Sequence, residues 1–217
     1  TVGLLHALHV YAGREVTAQQ LAEEACHIEI GVLGQPIGKQ DQYAAAYGGL
    51  NQIRFNSDES VDVISLDSSA SSSLGDNFCL VWTGLTRKAS SILEQQSRNT
   101  ASKMQQLEAM RTQAEQVSGL IESGDFSAIG ELLGNTWELK RTLADGISNP
   151  EIDKLYDQLM ELGCTGGKLL GAGGGGFILV QTPPNVQQKI ATNLANKVIP
   201  LNPDMHGSTL ILNERGE

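Results

Sequence analysis

Between Lys168 and Phe177 the chain reads Lys-Leu-Leu-Gly-Ala-Gly-Gly-Gly-Gly-Phe, with glycine at five of the six positions from 171 to 176. No helix or strand interior is built this way, because each glycine there costs roughly 0.5–1 kcal/mol relative to alanine. The run is therefore a loop whose backbone can take positive φ and approach a neighbour or ligand without a Cβ in the way. Its flanks, Lys168 to Leu170 and Phe177 to Val180, are short apolar runs that read as strands. Consecutive N–H groups in such a turn can form an anion-binding nest; the bland alternative is a mobile hairpin tip. A dinucleotide-binding turn is excluded by context, since that motif leads from a strand into a helix and here a strand follows. Glycine makes up 24 of the 217 residues, above the usual level of roughly 7%, and the excess sits around positions 166 to 176.

The remaining pattern supplies the elements around this loop. Val2, Leu5, Leu8 and Tyr11 fall along one stripe, so residues 1 to 11 read as a helix that begins without a preceding cap or loop. Thr17-Ala-Gln-Gln20 matches a capping box and predicts a helix carrying Leu21, Ala25, Ile28 and Val32 on its apolar face. Gly34-Gln-Pro-Ile-Gly38 breaks that helix, and Lys39 to Tyr47 starts a short one ended by Gly48-Gly49. Alternation over 50–55 and 61–66, around Ser57-Asp58-Glu59-Ser60, reads as a β-hairpin. The Ser-rich stretch 67–73 reads as a loop or linker. Beyond it come a strand over 77–82 and a helical tract over 86–146 divided at Gly124-Asp125, with Met104, Leu107 and Met110 at packing spacing. A helix over 151–162, capped by Ser148-Asn149-Pro150, follows. Then come the two strands flanking the glycine loop, a helix over 184–197 and a last strand over 209–212. This order matches the split βαβ arrangement of a ferredoxin-like sheet, with extra helices in the first crossover, and the fold class is α+β.

Charge and cysteine content narrow the function classes. With 15 Lys+Arg against 25 Asp+Glu the formal net charge is −10, which argues against a general nucleic-acid binder or a surface for anionic lipid. No apolar run approaches the ~18–20 residues of a membrane span, and residues 1–8 lack the features of a signal peptide. Cys26, Cys79 and Cys164 are odd in number and follow no metal-ligand spacing; they read as core residues of a protein in a reducing cytosol.

Two carboxylates invite attention. Glu29 lies beside the apolar stripe, where it is either a functional carboxylate at the rim of a buried face or an ordinary surface glutamate. Asp41 falls in a helix's first turn, where the helix dipole favours an ionised carboxylate, so helix stability alone would explain it. Lys39, Lys140, Arg141 and Lys168 are the cations near the segments that carry the motifs. Tyr43 and Tyr47, one turn apart, could wall a ligand site or pack in the core.

Taken together, Glu29, Gly34-x-Pro36-x-Gly38-x-x-Asp41-Gln42 and Gly171-Ala-Gly-Gly-Gly-Gly176 resemble the GHMP kinases. The stretches Gln35 to Asn51, Leu143 to Pro150 and Gly166 to Gly171 look most similar to the branch that includes heptose 7-phosphate kinases and fucokinase-like enzymes, and the resemblance runs over nearly the whole chain. It implies an ATP- and Mg2+-dependent phosphotransferase acting on a sugar or sugar phosphate, with heptose 7-phosphate at its anomeric hydroxyl the first choice. Residues 1–70 would be the C-terminal part of the ATP-binding domain, and 76–217 the ferredoxin-like domain. Carried over residue by residue, Asp41 would stand at the acceptor hydroxyl and Glu29 would ligate Mg2+. Gly171, Ala172, Gly173, Gly174, Gly175 and Gly176 would support the nucleotide phosphates. Lys39, Tyr43, Lys140 and Lys168 are candidates for the acceptor. Members of the family carry an upstream Gly/Ser-rich phosphate loop, so residues 1–11 resemble the helix that follows it. The resemblance thus implies that the chain alone binds ATP weakly.

Overall fold

A computed structural model describes residues 1–66, 69–86, 90–183, 185–194 and 197–211. The chain forms two units, Thr1–Ser68 with Pro203–Glu217, and Ser69–Asn202.

In the first unit, helix α1 (Val2–Tyr11) precedes α2 (Ala18–Cys26), whose start is the expected capping box. The Thr17 hydroxyl accepts from the Gln20 amide, and the Gln20 side chain accepts from the Thr17 N–H. The α-helix then widens into a π turn over His27–Val32, with the Leu33 N–H reaching back five residues to the Ile28 carbonyl. The wider turn shifts the phase of the apolar stripe. Leu21 and Ala25 are buried as the period predicts, whereas Val32 is 65% exposed. Helix α3 (Gln40–Tyr47) and the hairpin of β1 (Asn51–Phe55) with β2 (Val61–Ser65) follow. Val2, Leu21, Ala22, Ala25, Cys26, Tyr43 and Ala46 form this unit's core.

The expected strand over 209–212 is absent among the described residues: Thr209 to Ile211 are irregular, and Leu212 lies outside the description. The described residues from Pro203 onward belong instead to the first unit. The Gly49 N–H donates to Asp204 O at 2.6 Å, and His6 Nδ1 meets the Ser208 hydroxyl at 3.0 Å.

The second unit begins with α4 (Ser69–Asn77), a helix where a linker was expected; Asp67 and Ser68 lie outside the described residues. Its C-terminal carbonyls are satisfied by side chains. Asn77 Nδ2 donates to Ser73 O at 2.7 Å, and the distant Gln187 amide reaches Gly75 O at 3.0 Å and Asp76 O at 3.2 Å. There follow β3 (Phe78–Trp82), α5 (Ser90–Asn99), a 3₁₀ turn over Thr100–Lys103, α6 (Met104–Ser123) and α7 (Ile129–Arg141). After these come α8 (Pro150–Leu162), β4 (Gly166–Leu169), β5 (Phe177–Gln181), α9 (Val186–Asn193) and β6 (Val198–Pro200). Within the expected helical tract, Leu107 and Met110 pack on the core, but Met104 is 49% exposed at the start of α6.

The four strands are antiparallel in the order β4-β5-β3-β6, which is the split βαβ order. Among the described residues the last strand is Val198–Pro200, and its proline sits on an edge strand, where a missing N–H is tolerated. Helix α9 is shorter than the expected 184–197; Pro184, Ala195 and Asn196 lie outside the described residues. Trp137, Ile147, Ile152, Leu159, Leu169, Ile178 and Ile190 fill the core between the sheet and its helices, together with the buried Cys79 and Cys164. Burial pushes the Cys79 thiol up to about 11 and the Cys164 thiol up to about 12, as befits inert core cysteines.

Helix α7 packs directly on β4 because small residues meet there. A Cβ on Gly130 would fall 2.2 Å from Thr165 Oγ1, and one on Gly166 would fall 2.0 Å from Gly130 O. The helix start is further fixed by Gln181, which accepts from the Gly130 N–H at 3.1 Å and donates to Phe126 O.

Candidate functional site

In the first unit, the residues singled out by sequence lie on two sides of α3. Asp41 is in its first turn, exposed, next to Gln42. Gln42 is 4% exposed, and its amide Nε2 donates to Glu29 Oε2; the Thr1 hydroxyl donates to Glu29 Oε1. The Thr1 hydroxyl and then the Gln42 amide hold the Glu29 carboxyl below its usual range, the partial burial opposing them. The π turn places Glu29 there. Gln42 of the sequence motif thereby orients Glu29. Its Oε1 is buried with no hydrogen-bond partner among the described residues.

Lys39 and Tyr43 face another way. Two residues along a helix turn about 200°, so Tyr43 points opposite to Asp41. Tyr43 is 2% exposed and packs with Tyr47, ring centroids 6.4 Å apart, and edge-on to Phe55 at 6.3 Å. Lys39 Nζ donates to Glu59 O at 3.5 Å. Both residues line a groove of about 380 Å³ that also presents Glu23, His27 and Glu59, and two carboxylates there disfavour a phosphate.

In the second unit, the glycine loop is wedged rather than mobile. A Cβ on Gly173 would fall 2.8 Å from Ile147 Cα, and one on Gly175 would fall 2.6 Å from Leu85 O. The Gly174 N–H donates to Ile147 O at 2.9 Å, and the Gly176 N–H to Leu85 O at 3.0 Å. Two of the nest's donors are thus spent on the protein itself, and Gly173 and Gly175 serve close backbone packing.

Lys140, expected near a bound phosphate, is 9% exposed with its ammonium on two backbone carbonyls, Leu169 O at 3.3 Å and Gly171 O. Burial, with the positive charge of Lys168 added, pulls its pKa down to about 8. Arg141 is occupied as well, pairing with Asp153 at 3.0 Å and Glu138 at 3.3 Å over the Trp137 ring. Lys168 is half-buried on β4, its ammonium makes no hydrogen bond or ion pair among the described residues, and burial lowers its pKa. It is the lysine beside the loop whose donors are unspent.

Mg2+ usually takes one or two carboxylates, with phosphate and water oxygens completing its octahedron. Glu29 fits that demand as a single carboxylate held by two donors. Among the described residues no group of three or more His, Cys, Asp or Glu could hold a metal by itself. No helix among them is long and apolar enough to cross a membrane.

Residues 117–199 match the family described as GHMP kinases C terminal. The chain is 28% identical over 187 residues to the D-glycero-alpha-D-manno-heptose 7-phosphate kinase of Campylobacter jejuni, a match that covers 84% of the chain and 55% of that protein. It is 32% identical over 120 residues to the L-fucokinase/L-fucose-1-P guanylyltransferase of Bacteroides fragilis, covering 53% of the chain and 12% of the relative. Among solved structures, the phosphomevalonate kinase of Streptococcus pneumoniae in complex with phosphomevalonate and AMPPNP superposes with a TM-score of 0.77 at 16% identity. That match covers 94% of the chain and 66% of the other, and shows a shared fold. The chain thus spans about half the length of the first relative and a small part of the second.

Proposed function

From the match of residues 117–199 to the GHMP kinases C-terminal family, we propose that this chain belongs to an ATP-dependent kinase that phosphorylates a sugar phosphate, D-glycero-D-manno-heptose 7-phosphate at the anomeric hydroxyl being the first choice. The observation that carries this reading is the 28% identity with a heptose 7-phosphate kinase across 84% of the chain. The relative that bears AMPPNP supports ATP as the phosphoryl donor.

The residues divide the work. Asp41, exposed in the first turn of α3, orients the acceptor hydroxyl and takes its proton as the new oxygen–phosphorus bond forms and the bond to the β-phosphate oxygen breaks. Glu29, aimed by Gln42, would hold Mg2+, which when bound neutralises charge on the transferring phosphate. The glycine loop supports the nucleotide phosphates. Lys168, whose ammonium has no partner among the described residues, is the candidate cation for the phosphate on a sugar phosphate.

A coupled ADP assay over a panel of free sugars and sugar phosphates tests the reading. In the full-length protein Asp41→Asn should lower kcat by roughly 10² to 10⁴ with little change in melting temperature. If Asp41 only serves its helix, the change should instead cost about 0.3–1 kcal/mol of stability at near-normal turnover. Lys168→Ala should raise KM for the sugar phosphate far more than for ATP. The second reading is a kinase of a free hexose such as fucose, favoured by the 32% identity over 120 residues with the fucokinase; a clear preference for fucose in the panel would select it.

A further inference from the structure

Strand β4 lies at one end of the sheet order, so among the described strands it pairs only with β5. In an antiparallel pair, residues alternate between facing the partner and facing away. The Leu170 N–H donates to Phe177 O at 2.9 Å, so Leu170 and Lys168 face β5, and the carbonyls of Gly167, Leu169 and Gly171 face outward. All three are met by side chains. The Tyr156 hydroxyl donates to Gly167 O at 3.2 Å, and Lys140 donates to Leu169 O and Gly171 O.

The reach of Lys140 follows from how α7 is laid down. Gly130 touches Gly166, which pins the start of the helix to the start of the strand. Ten residues of helix advance about 15 Å, and five residues of strand about 16 Å. Lys140 therefore arrives beside position 171, where strand gives way to loop. Of the two bonds it makes, one falls on the last residue of β4 and one on the first glycine.

We propose that Lys140 is a positioning residue: clamped on Leu169 O and Gly171 O, its ammonium sets the angle at which residues 171–176 leave β4 and so fixes the loop that meets the nucleotide. The second half of this statement rests on the kinase reading above; the first does not. Among the described residues no carboxylate pairs with the ammonium in this clamp, so the cation is retained at the expense of its desolvation. A lysine that merely filled space could be replaced by methionine without consequence for the loop.

Hydrogen exchange separates these cases. The amides of Leu170, Gly174 and Gly176 are bonded to Phe177 O, Ile147 O and Leu85 O, and so report the loop's seating. In Lys140→Met of the full-length protein they should exchange at least about tenfold faster relative to the amides of the central strand β3. Lys140→Arg, which keeps a cation able to donate to both carbonyls, should return most of the protection. Should the Met variant fail to fold, Lys140→Gln, able to hold one carbonyl, should give an intermediate acceleration. KM for ATP should rise about tenfold in the Met variant, with a smaller change in kcat. Loop amides that accelerate no more than those of β3 would overturn the proposal. A wild-type protein without kinase activity would refute the kinase reading, yet leave the exchange result to decide the clamp.

Discussion

Placing a methyl group on Gly173 tests whether the glycine loop is shaped by packing or only by backbone conformation. Gly173 has φ +110, and its missing Cβ would lie 2.8 Å from Ile147 Cα and 3.0 Å from both Ile147 Cγ2 and Ile147 O. Ile147 is fully buried, and its carbonyl accepts the Gly174 N–H, so the obstructing backbone cannot move without breaking the loop's own anchor. The conformational penalty for a Cβ at positive φ is about 1–2 kcal/mol, and forcing an extra carbon into a packed site costs about 1–3 kcal/mol. Gly173→Ala should therefore destabilise the second unit by about 2–5 kcal/mol. Gly176 provides the control: its φ is +99 with nothing within 4 Å of a Cβ, so Gly176→Ala should cost only the conformational part, about 1–2 kcal/mol. Both tryptophans, Trp82 and Trp137, lie in the second unit, so urea unfolding followed by tryptophan fluorescence reads that unit directly. Equal losses in the two variants would show that Ile147 yields, and that close approach is not why position 173 is glycine.

Three further outcomes are expected. Lys140 has a folded pKa of about 8 against 10.5 for the free side chain. Between these values the unfolded chain binds more protons, so the cost of burying the charge, full below pH 8, is relieved as pH rises. Unfolding free energy of the wild type relative to Lys140→Met should then climb between pH 8 and 10.5 by a figure on the order of 3 kcal/mol; a flat difference would mean that the ammonium is not desolvated. Asn149→Ala removes the side chain that accepts the Ile152 N–H at the start of α8, and should cost about 0.5–2 kcal/mol in the same urea experiment. Thr17→Ala removes the hydroxyl that accepts the Gln20 N–H, one half of the capping box of α2, and should lower that helix's stability by about 1 kcal/mol, read by amide exchange at Gln20 and Leu21.

What could be read from the sequence was local chemistry with a fixed spacing. The capping box at Thr17, the Asn149-Pro150 start of α8, the hairpin around residues 57–60 and the glycine loop each depend on residues within a few positions of one another. What escaped depends on distant partners or on an uncommon period. The π turn that carries Glu29 breaks the 3.6 spacing, so Val32 was assigned to a buried face that the backbone had already left. Helix α4 is rich in serine, and its end is held by Gln187, more than 100 residues along the chain. Lys140 read as a free cation because nothing in its neighbourhood of sequence announces the carbonyls of Leu169 and Gly171. The tyrosine pair kept both readings until burial assigned the Tyr43 ring to the core.

The tail of the first unit bears on when the chain can fold as it is made. The turn at Gly48-Gly49 lies among its first fifty residues, yet the backbone it rests against is that of Asp204 to Ser208. Helix α4 likewise waits for Gln187 before its last carbonyls find donors. Synthesis from the N-terminal side therefore leaves the Gly48-Gly49 turn without its backbone partner until the segment 204–208 has emerged, and leaves α4 without its side-chain donor until Gln187 has.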